Sequence, residues 1–300
     1  MNRRLALHTM AISLGSVPLM AQAESFPRQL KDALGHAVEL LRYPQRIVVI
    51  FPSNVELAFS LGLENRIVAI GGRVKWPESA TRKPSIGGAL GFSPEAVAAY
   101  DPDLVVITPS HHSALGLREP FRRIGVPVLT LEHPDLNAIF RNLRLLGRAT
   151  GTETNAEIVI QKMQTALQTI ASKINNRPKP KVYLETAAAE RGIFQTVGPG
   201  HYAHDALHWA GGENIFSDLR GAQQVSAEAI FARQPDVIIS LQQNPKSTEQ
   251  ISQRPGWRTL KAVQEQRVYV MPRGHKLIPG PRQIEAVQAY AEALHPDVVA

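Results

Sequence analysis

A phrase of eleven residues is written twice in this chain, and nothing else in the sequence limits the fold as tightly. Ser93-Pro94-Glu95-Ala96-Val97-Ala98-Ala99-Tyr100-Asp101-Pro102-Asp103 returns as Ser226-Ala227-Glu228-Ala229-Ile230-Phe231-Ala232-Arg233-Gln234-Pro235-Asp236, with Ser, Glu, Ala, Ala, Pro and Asp matched at one constant offset. An apolar run follows each copy, Leu104-Val105-Val106-Ile107 and Val237-Ile238-Ile239-Ser240. Each copy predicts a short helix entered at a serine cap, closed ahead of a proline, and followed by a buried strand. The offset of about 130 residues is far beyond the 20–50 residue periods of solenoids, so the repeat predicts two similar lobes in one chain, with a cleft between them.

Bulk composition agrees. Three hundred residues suffice for two domains, and 44% hydrophobic with 20% charged residues is ordinary for a globular chain. There is no cysteine, which excludes a disulfide framework, a thiolate metal site and a lipid-modified N-terminal cysteine. Arg3 and Arg4 precede a mostly apolar run from Leu5 to Met20, and Ala21-Gln22-Ala23 has the small-residue pattern of a cleavage site. Residues 1–23 are therefore predicted to be a signal peptide cleaved after Ala23, which places a soluble mature protein in the periplasm. Losing Arg3 and Arg4 lowers the formal charge from +7 to about +5. That surplus suits an anionic ligand. The cations are scattered rather than gathered on one stripe, so no nucleic-acid partner is expected.

Along the mature chain, strands alternate with helices. Arg46 to Ile50, Arg66 to Ile70, Leu104 to Ile107 and Val126 to Leu131 read as strands of one sheet. Lys181 to Leu184, Val237 to Ser240 and Arg267 to Val270 read as strands of another. The alternation predicts an α/β fold with mostly parallel sheets. Residues 24–45 read as an irregular lead-in with a small hairpin around Gly35. Ser53-Asn54-Val55-Glu56 has the pattern of a capping box opening a helix. Between Asp135 and Asn176 there is no proline, and apolar residues recur at helical spacing, with Gly147 and Gly151 able to bend or split the run. The expected organisation is a lobe over 24–134, a long inter-lobe helix over 135–177 and a second lobe over 178–300.

The ordered phrases resemble one family across essentially the whole mature chain. They are Arg46-Ile47-Val48 with Asn54 and Glu56-Leu57-Ala58; Pro84-Ser85-Ile86-Gly87; and Ser93-x-Glu95 with Pro102-Asp103-Leu104-Val105. They continue with Ala210-Gly211-Gly212-Glu213-Asn214-Ile215, Val225-Ser226-x-Glu228, Pro235-Asp236-Val237-Ile238, Arg254-Pro255-Gly256-Trp257, Arg267-Val268-Tyr269 and Gly280-Pro281-Arg282. The set is similar to the periplasmic substrate-binding proteins of ABC importers for iron–siderophore, haem and cobalamin. The resemblance implies two α/β lobes bridged by one rigid helix, with a small molecule bound between them and no chemistry performed. It implies that Glu95 and Glu228, one on each lobe, dock on arginines of an inner-membrane permease dimer that works with a cytoplasmic ATPase. A monomer is expected, with no cofactor beyond the ligand, which is itself a metal chelate.

Ligand contacts are expected on loops at the carboxyl ends of strands. The candidates are Asn54, Arg73, Lys75, Trp76, His111 and His112 from the first lobe. From the second they are Arg191, His201, Tyr202, Gln242, Arg273, His275 and Lys276. The cations would neutralise a carboxylate-rich or catecholate iron complex, and Trp76 and Tyr202 would stack on a planar ligand. His111, His201, His204 and Tyr202 are the candidates for direct metal ligation. Haem binders of this family place a tyrosine where this chain has Gly88, and cobalamin binders an aromatic residue where it has Ala89 and Leu90. A ferric siderophore is therefore expected first, with a corrinoid or haem as the alternative. An exported metal-dependent hydrolase is the rival class, but neither Gly-x-Ser-x-Gly nor His-Glu-x-x-His occurs.

Overall fold

The computed structural model describes residues 26–87, 94–108, 113–190, 192–242 and 247–299, with side chains left aside at 113–117, 188–190 and 299. The predicted signal peptide and the candidates His111, His112 and Arg191 lie outside the described residues. No helix among the described residues is long and apolar enough to cross a membrane.

The described residues open with an antiparallel hairpin, β1 (Arg28–Lys31) and β2 (Ala37–Leu40), turning at Gly35. The first lobe then runs β3 (Ile47–Val49), α1 (Pro52–Ser60), β4 (Ile67–Ile70), α2 (Pro94–Ala98), β5 (Leu104–Ile107), α3 (Ser113–Arg123) and β6 (Val128–Thr130). Two helices follow, α4 (Leu136–Thr150) and α5 (Glu153–Lys173). The second lobe begins with β7 (Lys181–Glu185), β8 (Ala187–Glu190), β9 (Ile193–Val197), α6 (Tyr202–Trp209), β10 (Glu213–Asn214) and β11 (Ala222–Ser226). It ends with α7 (Ala227–Arg233), β12 (Val237–Gln242), α8 (Thr248–Ser252), α9 (Lys261–Gln264), β13 (Val268–Pro272), α10 (Gln283–Leu294) and α11 (Pro296–Val299).

The two lobes are built to one plan. Their sheets run β4-β3-β5-β6 and β10-β7-β12-β13, all parallel. Each therefore places its parallel strands in the spatial order second, first, third, fourth. The duplicated phrase delivers the third strand in both. Its two ends do the same work twice. Asp101 and Gln234 sit at φ 46° and 42°, each just ahead of the proline. Asp103 then accepts hydrogen bonds from the backbone N–H of Arg46 (2.8 Å) and Gln45 (2.9 Å), and Asp236 accepts one from Lys181 N–H (2.9 Å). Each aspartate so ties the start of its own strand to the start of the first strand of its sheet.

Because both faces of a parallel sheet are covered, its strands read as unbroken apolar runs. β5 and β12 are buried at every position. Alternate side chains serve different cores. Ile47, Val49, Leu104, Val106, Val237, Ile239 and Leu241 face one cluster that is continuous through α4 and α5 across both lobes. Val48, Val105 and Ile107 face a separate cluster in the first lobe, and Tyr183 and Ile238 face one in the second.

The inter-lobe segment is split at Gly151, one of the two glycines expected to bend or break it, into two helices. α4 ends at Gly151 in the left-handed conformation (φ 68°), and α5 folds back to pack against it, with a Cβ on Gly147 only 3.0 Å from that of Ala156. A Cβ on Gly151 would come 2.1 Å from Cε1 of Tyr43, so only glycine fits the corner. α5 alone makes the span, about 30 Å at 1.5 Å per residue. At its start Glu153 pairs with Arg28, and Asn155 donates to the carbonyl of Leu61 (2.9 Å). Just beyond its end Ile174 packs against Gly211, and Arg177 pairs with Asp297 (2.8 Å). Its buried face, Ala156, Ile160, Met163, Leu167 and Ile170, belongs to the shared core.

Candidate functional site

Segments near the carboxyl ends of the two parallel sheets meet where Trp76 lies against Arg282 and Glu56 against Gly280. From the first lobe comes the segment after β4, where Arg73 (φ 66°) and Lys75 are exposed and Trp76 is 41% exposed. From the second lobe comes the turn Gly274–Leu277 after β13. This turn is held stiffly. The side-chain amide of Gln283 donates to the carbonyls of His275 (3.0 Å), Lys276 (3.2 Å) and Ile278 (2.9 Å), and the Tyr202 hydroxyl donates to that of Leu277 (2.8 Å).

The lobes touch through charge. Arg282, at the start of α10, donates from Nη2 to Glu56 Oε1 (2.5 Å) and from Nε to Oε2 (3.3 Å). Its guanidinium also lies 4.1 Å from the Trp76 ring centroid. Glu56 is 1% exposed. Burial pushes its carboxyl up, while Arg282 pulls it down and Glu285 adds a smaller upward push. The capping box read from the sequence is absent, because α1 starts at Pro52 with no side-chain cap and Glu56 turns to the other lobe instead.

Lys276 is 8% exposed and burial lowers its affinity for a proton. His275 is lowered too, by burial and then by Lys276; its Nε2 lies 3.3 Å from Glu285 but out of hydrogen-bonding alignment. Arg273 is exposed. Arg73, Lys75, Arg273 and Lys276 have no ion-pair partner among the described residues.

Several expected ligand residues have hydrogen-bond partners within the fold. Asn54 is fully buried: its amide donates to the carbonyl of Ile50 (2.8 Å), and its Oδ1 lies 3.1 Å from Thr108 Oγ1 and 3.3 Å from His133 Nε2. Asn142 donates to His133 Nδ1 (3.2 Å), which leaves the proton on Nε2 and the ring neutral. Burial pushes the His133 pKa down to about 4. This network joins the carboxyl ends of β3, β5 and β6, with one Asn54 amide proton on the Ile50 carbonyl and its Oδ1 shared by Thr108 and His133. Gln242 is buried as well, donating to Ser240 Oγ (3.1 Å).

Three of the candidate metal ligands make hydrogen bonds within the fold, His201 and His204 through Nδ1 and Tyr202 through its hydroxyl. His201 caps α6 by accepting from Ala203 N–H at Nδ1 (3.2 Å), and burial pushes its pKa down to about 4. His204 Nδ1 faces the side-chain amide of Asn214 (3.0 Å). Tyr202 is buried, which pushes its phenol up, and its hydroxyl braces the 274–277 turn. Among the described residues no cluster of three or more histidines and carboxylates could hold a metal ion.

Sequence reasoning missed a second buried pair. Arg254 forks onto Glu185 (2.6 and 2.9 Å) at the end of β7, Ser240 adds a third bond (2.7 Å), and the guanidinium lies over Trp257 (4.5 Å). The phrase Arg254-Pro255-Gly256-Trp257 was its only signal. The described surface also holds a concavity of about 1320 Å³, lined by Leu40, Arg42, Arg46, Asp103 and Arg122. It sits at the amino ends of the first lobe's strands. Ligands of open parallel sheets bind at the carboxyl ends, so the inter-lobe cleft is the candidate site.

Comparison with known proteins supports this architecture. The sequence model of a family described as "Periplasmic binding protein" matches residues 47–273. An uncharacterised ABC transporter substrate-binding lipoprotein of Bacillus subtilis is 27% identical over 281 residues, 92% of this chain and 88% of that one. A vitamin B12-binding protein of Vibrio campbellii is 27% identical over 197 residues, 65% of this chain and 70% of that one. The crystal structure of a possible iron-binding (periplasmic solute-binding) protein from Staphylococcus epidermidis shares the fold at a TM-score of 0.76 and 24% identity, covering 85% of this chain and 100% of that one.

Proposed function

This chain belongs to the periplasmic binding protein family, and from that premise we propose that it is the extracytoplasmic binding subunit of an ABC importer. It captures a metal chelate between its lobes and hands it to a membrane permease powered by an ATPase. A ferric siderophore is the ligand that fits best. The observation that carries this reading is the set of cleft cations, Arg73, Lys75, Arg273 and Lys276, without ion-pair partners among the described residues. A negatively charged iron complex supplies the missing counter-charge, and the part-exposed Trp76 ring, backed by Arg282, offers it a flat face. Glu95 and Glu228, both exposed in the first turns of α2 and α7, are the docking acids. The Ser226 hydroxyl beside Glu228 holds that carboxyl below the usual range, so it stays charged. The protein is proposed to work in the periplasm after cleavage at Ala23.

A corrinoid is the second reading, favoured by the vitamin B12-binding relative. Native mass spectrometry and absorption spectra of the protein taken from the periplasm separate the two. An iron-to-ligand charge-transfer band with a matching mass supports the siderophore. A corrin spectrum replaces it with the second reading, and a haem Soret band overturns both.

A further inference from the structure

Glu56 and Arg282 are 226 positions apart in sequence, and they meet in a place where the fold leaves little freedom. Glu56 rides on α1 of the first lobe, and Arg282 opens α10 of the second. A Cβ on Gly280 would come 2.7 Å from Glu56 Oε2, so the backbone of one lobe lies directly on the carboxylate of the other. Trp76 covers the far face of the same guanidinium.

A buried pair of this kind is a weak source of net stability, because desolvation offsets most of the attraction. Its directional demands are strong. A two-pronged arginine–carboxylate contact tolerates little rotation, whereas an apolar contact would let the lobes slide. Opening the cleft at this edge would strand the Glu56 carboxylate without a counter-charge. We infer that Glu56 and Arg282 are positioning residues: together with Trp76 they latch the lobes at a fixed angle and hold the Trp76 ring at the mouth of the cleft. The latch works in the ligand-free protein and does not depend on which chelate is carried.

The chain has no cysteine, so spin labels can be placed cleanly at Ala99→Cys and Gln224→Cys, exposed positions one on each lobe. Pulsed dipolar spectroscopy then reads the lobe-to-lobe distance in the full mature protein. The parent is expected to give one narrow distribution. Glu56→Gln and Arg282→Gln should broaden it equally, and the double variant should add nothing further, since either change releases the same latch. Trp76→Ala, at a side chain already part-exposed, should broaden it less. Should the glutamine variants fold poorly, Arg282→Lys keeps the charge but loses the fork, and broadening is expected there too. A purely structural pair would lower the melting temperature and leave the distance distribution of the folded molecules unchanged. That result, or additive broadening in the double variant, overturns the latch.

Discussion

Arg254 shows how much a single side chain carries here. It neutralises Glu185, which is fully buried, while resting on Trp257 at the centre of the second lobe's outer core. Arg254→Ala leaves that carboxylate alone in an apolar setting, and a loss of about 3–5 kcal/mol is expected in urea unfolding. Arg254→Ala combined with Glu185→Leu should recover much of it. Histidines set the acid limit. His133 and His201 are held near pKa 4 by burial, well under the 6.5 of a free imidazole. Between those values the unfolded chain binds more protons than the folded one, so stability is complete above about pH 6.5 and falls as the pH drops toward 4. Each ring contributes a slope of roughly 1.4 kcal/mol per pH unit in that window. Glu56, raised by burial, works in the opposite direction, gaining a proton in the folded state first. His133→Asn should remove about one proton from the measured slope. An unchanged slope would show that the ring titrates elsewhere. None of this was legible in the sequence. Asn54, Glu56 and His201 look like a ligand contact, a helix cap and a metal ligand when read along the chain. The neighbours brought by the fold, His133, Arg282 and the α6 N-terminus, are not visible along the chain.

Elements were more legible, because apolar runs and turn residues are local signals. The duplicated phrase located α2 with β5 and α7 with β12, and the proline-free stretch located α4 and α5. It did not show that α5 reverses onto α4, since helical periodicity continues through Gly151 and the deciding clash with Tyr43 is long-range. Gly151→Ala is expected to cost more than the ordinary ~1 kcal/mol of a left-handed glycine, because Tyr43 must also move. Circular dichroism melts measure it, and a stabilised variant would contradict the corner. The Pro-Asp of each copy makes a sharper test. If Asp103 and Asp236 pin the starts of neighbouring strands, alanine at either should cost about 1–3 kcal/mol, with little coupling between them because they serve separate sheets.

At the scale of the molecule, two lobes of one topology share a core across α5 and present equivalent helix starts to the outside. Glu95 and Glu228 occupy matching places, each ahead of the third strand of its sheet. Reversing both charges should abolish import in cells while leaving ligand affinity at the parent value; lost affinity would contradict this division of labour. Sequence reasoning reached the paired lobes because duplication survives in the chain itself. It also named the cleft loops after β4 and β13, with Arg73, Lys75, Trp76, Arg273 and Lys276, but not the contact of Glu56 with Arg282, which lie 226 positions apart. The central claim is that a charged metal chelate binds between the lobes. Titrating the purified mature protein with ferric catecholate, cobalamin and haemin while following Trp76 fluorescence tests it most directly. The account expects one-to-one, saturable quenching by the ferric chelate, weakened at least tenfold, roughly 1.4 kcal/mol, when Arg273 and Lys276 are both changed to glutamine. Binding of none of the three, or binding indifferent to those two cations, would contradict it.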